Sequence, residues 1–252
     1  MSIPPILLLG GTAEAKQLTQ ALCQLNIPVI YSQRGTVCTP DLPCPIISGG
    51  FSPFAHEDVA GLTRYCRDQQ IGVLLDATHP YAGQISQQAR QTAGTLAIPL
   101  VQLYRSPWLS TDADTWHSVN RLTDVLQPMA LYQRPLWTIG QSITPLLKQK
   151  MPGQPWLVRQ ITPPTMLHRD IVYRLSKGPF SVAQEMALMQ QHRIDVVVSK
   201  NSGGMASFAK ILATRALNIP VILLARPFFE PAVQCYTEIT SCVQACVQLQ
   251  SS

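Results

Sequence analysis

Eight apolar runs of strand length recur along this chain, at residues 6–9, 28–31, 72–75, 100–103, 136–139, 156–158, 195–199 and 221–224, and many are separated by segments of helical periodicity. Strand alternating with helix implies an α/β fold built on mostly parallel, doubly wound sheets. With 252 residues, such a chain can bury one large core or two small ones.

Two of the strand-to-helix junctions carry glycine. Gly10-Gly11-Thr12-Ala13-Glu14 follows the first run, and Ser199-Lys200-Asn201-Ser202-Gly203-Gly204 follows the seventh. The first N–H groups of a helix lack intrahelical partners and sit at the positive end of its dipole, so each junction is a candidate anion pocket. Thr12 suits an N-cap, Ala15, Leu18, Leu22 and Leu25 share one helical face, and Asn26 suits a left-handed end. After Gly204 a matching helix is expected to bury Met205, Phe208, Leu212 and Ala216 and to end at Asn218. The prolines at 128 and 135 place a boundary near residues 128–134, giving lobes 1–130 and 131–252 with a ligand cleft between them. A closing helix over residues 238–250 is free to pack back on the first lobe.

Charge is uneven. Residues 1–128 carry seven Lys and Arg against nine Asp and Glu, whereas residues 129–252 carry twelve against five. The basic half has no Lys/Arg run and no interleaved aromatics, which argues against nucleic acid and for an anionic small molecule or a solvated basic face. No apolar stretch is long enough to span a membrane and the N-terminus, Met1-Ser2-Ile3-Pro4-Pro5, lacks signal-peptide character, so a soluble cytoplasmic protein is expected. The seven cysteines, Cys23, Cys38, Cys44, Cys66, Cys235, Cys242 and Cys246, form no CxxC pair and read as reduced small hydrophobes, with no metal site.

The candidate chemistry lies at strand ends, where open α/β sheets bind ligands. Gly10, Gly11 and Thr12 form a degraded dinucleotide fingerprint. Ser32 and Arg34 follow the second strand where an NAD-binding protein would place a carboxylate, which favours a 2′-phosphate. Asp76-Ala77-Thr78-His79-Pro80-Tyr81-Ala82 gathers an acid, a hydroxyl, an imidazole and a phenol, with His79 a general acid, a carboxylate-binding cation or a satisfied loop histidine. Tyr104, Arg105 and Trp108 could pair a carboxylate and stack a conjugated ring, or brace a domain interface. Thr138-Ile139-Gly140 repeats the strand-then-glycine pattern more weakly, and Ser181 reads as a helix cap. There is no HExxH, Gly-x-Ser-x-Gly or Walker motif.

Together, Leu9-Gly10-Gly11-Thr12-Ala13-Glu14-Ala15, residues 76–82, Tyr104-Arg105-Ser106-Pro107-Trp108, Gly178-Pro179-Phe180, residues 199–204, Ile219-Pro220-Val221 and Arg226-Pro227 make the chain resemble the precorrin-6A reductase family of cobalamin biosynthesis over essentially its whole length. That resemblance implies two Rossmann-like lobes. It also implies hydride reduction of one double bond of precorrin-6A or its cobalt complex, by NADPH with NADH as the alternative, and no metal or flavin of the protein's own. Gly10, Gly11, Thr12, Ser32, Arg34 and Thr78 would then hold the cofactor. Lys200, Ser202, Gly203 and Gly204 would hold cofactor phosphate or substrate carboxylates, while Tyr104, Arg105, Trp108 and Gly140 would meet the tetrapyrrole. His79 or Tyr81 would deliver the proton. The chain departs from the family pattern at Gln33-Arg34-Gly35, at residues 139–142 and at Asn201. Two alternatives share the architecture: a cofactor-free cyclase of the uroporphyrinogen-III synthase type, and a non-catalytic dinucleotide or tetrapyrrole sensor. The oligomeric state is left open.

Overall fold

The computed structural model describes residues 3–35, 39–55, 60–164, 167–228, 232 and 234–251. Met1, Ser2 and Cys38, read above from sequence, lie outside them. In chain order the described strands are β1 (Ile6–Leu9), β2 (Val29–Gln33), β3 (Ile46–Ser48), β4 (Val73–Asp76), β5 (Leu100–Leu103), β6 (Trp116–Val119), β7 (Pro135–Trp137), β8 (Trp156–Gln160), β9 (Ile171–Leu175), β10 (Val196–Lys200), β11 (Val221–Leu224) and β12 (Gln234–Tyr236). The α-helices are α1 (Ala13–Gln24), α2 (Gly61–Asp68), α3 (Gly83–Leu96), α4 (Leu126–Met129), α5 (Val182–Gln191), α6 (Ala209–Leu217) and α7 (Ile239–Gln250).

The strands form two six-stranded sheets, ordered β12-β5-β4-β1-β2-β3 and β6-β11-β10-β7-β8-β9. Every described pairing is parallel, as in β1 against β2 and β4, or β10 against β7 and β11. A parallel sheet is covered on both faces, and the central strands are correspondingly apolar at their starts, with polar residues such as Ser32, Asp76 and Lys200 toward their carboxyl ends. In β1 the side chains alternate: Ile6 and Leu8 pack with Ala15, Leu18 and Leu22 of α1 and Cys242 and Cys246 of α7. Leu7 and Leu9 pack on the other face with Leu62 and Cys66 of α2 and Ala89 and Ala93 of α3. In the second sheet Val196 and Val198 join the Trp137 and Trp156 core, while Val197 packs with Leu188, Met189 and Ala213 from α5 and α6.

The chain divides into two compact units, Met1–Ser106 with Phe228–Ser252, and Pro107–Pro227. The boundary expected near residues 128–134 therefore falls inside the second unit. Hydrogen bonding explains the difference: β6 pairs with β11, setting Trp116 opposite Val221, and β12 returns to pair with β5, setting Cys235 opposite Gln102. Helix α7 packs on α1 and β5.

Capping follows the sequence closely. The Thr12 hydroxyl accepts the Ala15 N–H, Ser181 and Gln184 form a reciprocal capping box on α5, and Asn26 and Asn218 adopt φ of 59° and 52°. Two helix faces differ from expectation. Leu25 is 53% exposed because α1 ends before it. A 3-10 turn over Met205–Ser207 precedes α6 and shifts its phase, so Lys210, Ile211, Ala213 and Thr214 are buried while Met205 and Leu212 are exposed. The described cysteines are free, and burial pushes the thiols of Cys66, Cys242 and Cys246 up to about 12. Among the described residues no helix is long and apolar enough to cross a membrane.

Candidate functional site

In the first unit, β1 runs into the Gly10-Gly11 turn and then the Thr12 cap. The Gly10 N–H donates to Ser32 O at 2.7 Å, and the Gly11 N–H donates to the Tyr31 hydroxyl at 2.8 Å. A Cβ on Gly10 would overlap the fully buried Tyr31 ring, 2.6 Å from its Oη, and Gly11 has φ of +101°. Both positions thus require glycine, the first for close approach and the second for its backbone conformation. Thr12 Oγ1 also donates to Ala77 O at 2.9 Å, tying the start of α1 to the loop after β4.

That loop is shaped by Asp76, 2% exposed, whose Oδ1 accepts both the Thr78 N–H at 3.0 Å and the Thr78 hydroxyl at 2.7 Å. His79 Nδ1 accepts the Tyr81 N–H at 3.3 Å, and the two rings lie 5.5 Å apart. In the neutral ring this bond assigns the proton to Nε2.

A cavity of about 620 Å³ opens at these strand ends, and Gly10, Gly11, Ser32, Arg34, Thr78, His79 and Tyr81 all line it. Thr12 does not, since its side chain is turned to the cap and to Ala77. The sequence reading missed Gly49, Gly50, Ser52, Gly61, Gln84 and Gln88, which also line the cavity. The doublet Gly49-Gly50 just after β3 was the available signal. Gly61 leaves no room for a Cβ against the Phe51 carbonyl.

The expected Tyr104, Arg105 and Trp108 group is not assembled as expected. Arg105 lies 3.4 Å from Glu14 Oε2 and donates to Thr78 O at 3.5 Å, so it braces the α1 start against the β4 loop. Tyr104 is 42% exposed. Trp108 belongs to the other unit and is 7% exposed, its ring 5.7 Å from that of Phe208 and packed with Ile211, Val221 and Leu223. The face expected to stack on a ligand is taken by the protein's own core.

In the second unit, Lys200 ends β10 and its Nζ donates to Ser142 Oγ at 2.7 Å, two residues past Gly140, which has φ of +61°. Burial pushes the Lys200 ammonium below the ordinary lysine range. The turn continues through Ser202, 5% exposed and bonded to Ser207 Oγ at 2.8 Å, and Gly203 with φ of +69°, to Gly204. Asn201 holds it from outside: its side chain accepts the Trp108 N–H at 2.7 Å and donates to Trp108 O at 3.0 Å, and its own carbonyl accepts Arg226 Nε at 2.7 Å. So Gly140, Lys200 and residues 202–204 are brought to one end of the second sheet, whereas Trp108 serves as a support.

The precorrin-6x reductase model (CbiJ/CobK) matches residues 5–247. A protein from Rhodococcus erythropolis described as a precorrin-6A reductase is 36% identical over 244 residues, covering 94% of this chain and 95% of the relative. One from Synechocystis sp., described as a cobalt-precorrin-6A reductase, is 25% identical over 244 residues, covering 90% of each. The solved structure of CobK precorrin-6A reductase superposes with a TM-score of 0.87 at 30% identity, covering 97% of this chain and 96% of that one. These findings support the reductase expectation and not the cyclase or sensor alternatives. The chain belongs to the precorrin-6x reductase family and is an oxidoreductase acting on a tetrapyrrole.

Proposed function

We propose that the chain reduces one double bond of precorrin-6A, in its metal-free form, with NADPH held in the first unit. The observation that carries this reading is the convergence of the glycine turn, the end of β2 and the loop at residues 78–81 on one cavity of about 620 Å³. Its lining fits a dinucleotide. The Gly10-Gly11 turn before α1, bare of side chains at the positive end of the helix dipole, suits close approach of a pyrophosphate, and Ser32 and Arg34 suit a 2′-phosphate. Among the described residues no carboxylate lines the cavity to favour an unmodified ribose diol.

When bound, the cofactor supplies hydride. The chain's own groups hold and orient. The Arg105 contacts with Glu14 and Thr78 tie the α1 start to the β4 loop, which fixes two sides of the cavity against each other. His79, with its proton on Nε2, and the neighbouring Tyr81 are the groups placed to deliver a proton. Lys200, Ser202, Gly203, Gly204 and Gly140 suit the carboxylates of the macrocycle, or a phosphate, in a unit rich in basic residues. The metal-free substrate is favoured by the higher identity to the relative named for precorrin-6A than to the one named for its cobalt form.

The test is anaerobic mixing of purified protein with NADPH or NADH and with precorrin-6A or its cobalt complex. Loss of reduced-nicotinamide absorbance is followed together with the macrocycle spectrum. Stoichiometric oxidation of NADPH by the metal-free substrate is expected. Turnover confined to the cobalt form would reassign the substrate, and absence of both binding and turnover would overturn the reading.

A further inference from the structure

The second unit buries a cation that no ion pair explains. Lys210, near the start of α6, is 8% exposed. Its Nζ donates to Ser199 Oγ at 3.1 Å and to Thr138 Oγ1 at 3.4 Å, and it lies 5.7 Å from the centroid of the Trp108 ring. Among the described residues no carboxylate lies within ion-pair distance of it. Glu185 of α5 acts on it from farther away, but that carboxylate is already bound through two contacts of 2.7 Å to Arg159 of β8, whose charge opposes Lys210. Burial accordingly pushes the ammonium down to about 8. An ammonium solvated by two hydroxyls and an indole face costs stability that an apolar side chain of the same length would not.

The hydroxyls show where the charge is directed. Thr138 Oγ1 donates onward to Val198 O at 3.0 Å, and Ser199 Oγ donates to Lys200 O at 3.2 Å. Each oxygen therefore offers its lone pairs to Lys210 while its proton ties down the backbone that leads into the turn at residues 200–204. Two lysines adjoin that turn: Lys200, partly exposed, is its first residue, and Lys210, buried, bonds Ser199 immediately before it. Positive charge held away from solvent acts on a nearby anion with little screening.

We propose that Lys210 is a positioning residue for an anionic oxygen group, a carboxylate or a phosphate, taken by the turn at residues 200–204. It fixes Ser199 and Thr138 and supplies the buried positive charge of that subsite. The proposal rests on the functional reading only for the identity of the anion. A tetrapyrrole carboxylate and a dinucleotide phosphate present the same chemistry, and separate measurements tell them apart.

Lys210→Met and Lys210→Arg are made in the full chain. The Met variant is expected to melt at or above the wild-type temperature. It should also raise either KM for precorrin-6A or Kd for NADPH about tenfold, with the other constant unchanged and kcat within about threefold. A shift in KM identifies the carboxylate and a shift in Kd the phosphate, and the Arg variant should recover most of the loss. Both constants within twofold of wild type would overturn the proposal. Should the Met variant not fold, the pH profiles of wild type and the Arg variant decide. The charged groups acting on Lys210 are Glu185 and Arg159, and its other contacts, from Ser199, Thr138 and Trp108, are neutral. Lys200, whose ammonium burial also lowers, stands in the same turn in both proteins, so the affected constant should weaken more steeply in wild type than in the Arg variant as pH rises from about 7 to 9.5, and equal profiles would overturn it. If wild type turns over neither form of precorrin-6A, the functional reading fails. Lys210 is then tested by the same comparison using Kd for NADPH and for uroporphyrin, an octacarboxylate tetrapyrrole.

Discussion

At Gly10 and Tyr31 the margin between a working turn and a broken one is a single methyl group. The Tyr31 ring fills the space a Cβ would need, and its hydroxyl accepts the next N–H of the same turn, so displacing the ring also displaces Gly11. Gly10→Ala is expected to cost about 1–3 kcal/mol from overpacking and to weaken NADPH binding at least tenfold. Thermal melting and a fluorescence titration measure the two effects, and unchanged affinity would remove the turn from the cofactor site. Lys210 carries the opposite lesson, a residue kept despite its cost. Its ammonium titrates near 10.5 when exposed and at about 8 in the folded chain. Between those values the unfolded chain binds the extra proton, so this group makes stability rise with pH over that window, and its penalty is fully present below about 8. Lys210→Met should remove a penalty of the order of 3 kcal/mol at pH 7 and none near pH 11. Cys66, Cys242 and Cys246, with thiols pushed up to about 12, act in the opposite sense above their unfolded value of about 9. The difference between variant and wild type in urea denaturation at pH 7 and 9.5 therefore isolates Lys210, and a difference independent of pH would refute the assignment.

Among the elements, those buried on two faces were legible in the sequence and those buried on one were not. The eight apolar runs match β1, β2, β4, β5, β7, β8, β10 and β11 to within two residues at either end. The four strands that were missed, β3, β6, β9 and β12, are the edges of the two sheets. Apart from Ile171 their residues are half-buried or exposed, as in Val172 and Leu175 of β9 at 55% and 51%, so they carry no continuous apolar signal. The geometry of the candidate site was legible wherever backbone chemistry dictates residue type, as at Gly10, Gly11 and the Asp76 to Tyr81 loop. It was illegible where a side chain's partner is remote in sequence: Arg105 with Glu14, Asn201 with Trp108, Lys210 with Thr138. Helix α5 illustrates the energetic weight of such remote pairs. Glu185, with its side chain 3% exposed, closes two contacts of 2.7 Å with Arg159 of β8. Glu185→Gln leaves the guanidinium buried without its counter-charge and is expected to cost about 3–5 kcal/mol. Trp137 and Trp156, with ring centroids 4.6 Å apart in the same unit, give the fluorescence signal for denaturant unfolding, and a loss below 1 kcal/mol would show that water reaches the guanidinium.

Across the whole molecule, the chain passes from the first unit to the second after Ser106 and returns after Pro227, so each unit's sheet includes a strand from beyond the boundary that local sequence suggested. Proline punctuation at 128 and 135 marks the approach to β7, an interior strand, and says nothing about which sheet β6 joins. Charge divides along the same units. Residues 107–227 carry thirteen Lys and Arg against six Asp and Glu, and the remaining residues carry six against eight, a difference of +7 against −2. A tetrapyrrole with several carboxylates meets a favourable field at the basic unit, and mobile ions screen that field over about 8 Å at 0.15 M. A dinucleotide taken, as proposed, at the glycine turn of the slightly acidic unit would depend less on long-range charge. Raising ionic strength from about 0.02 to 0.5 M is therefore expected to increase KM for precorrin-6A several-fold while changing Kd for NADPH less, with kcat unaffected. Steady-state kinetics in potassium chloride alongside a cofactor titration would show it. Equal salt dependence of the two constants would mean that the charge of residues 107–227 serves solubility and not the capture of substrate.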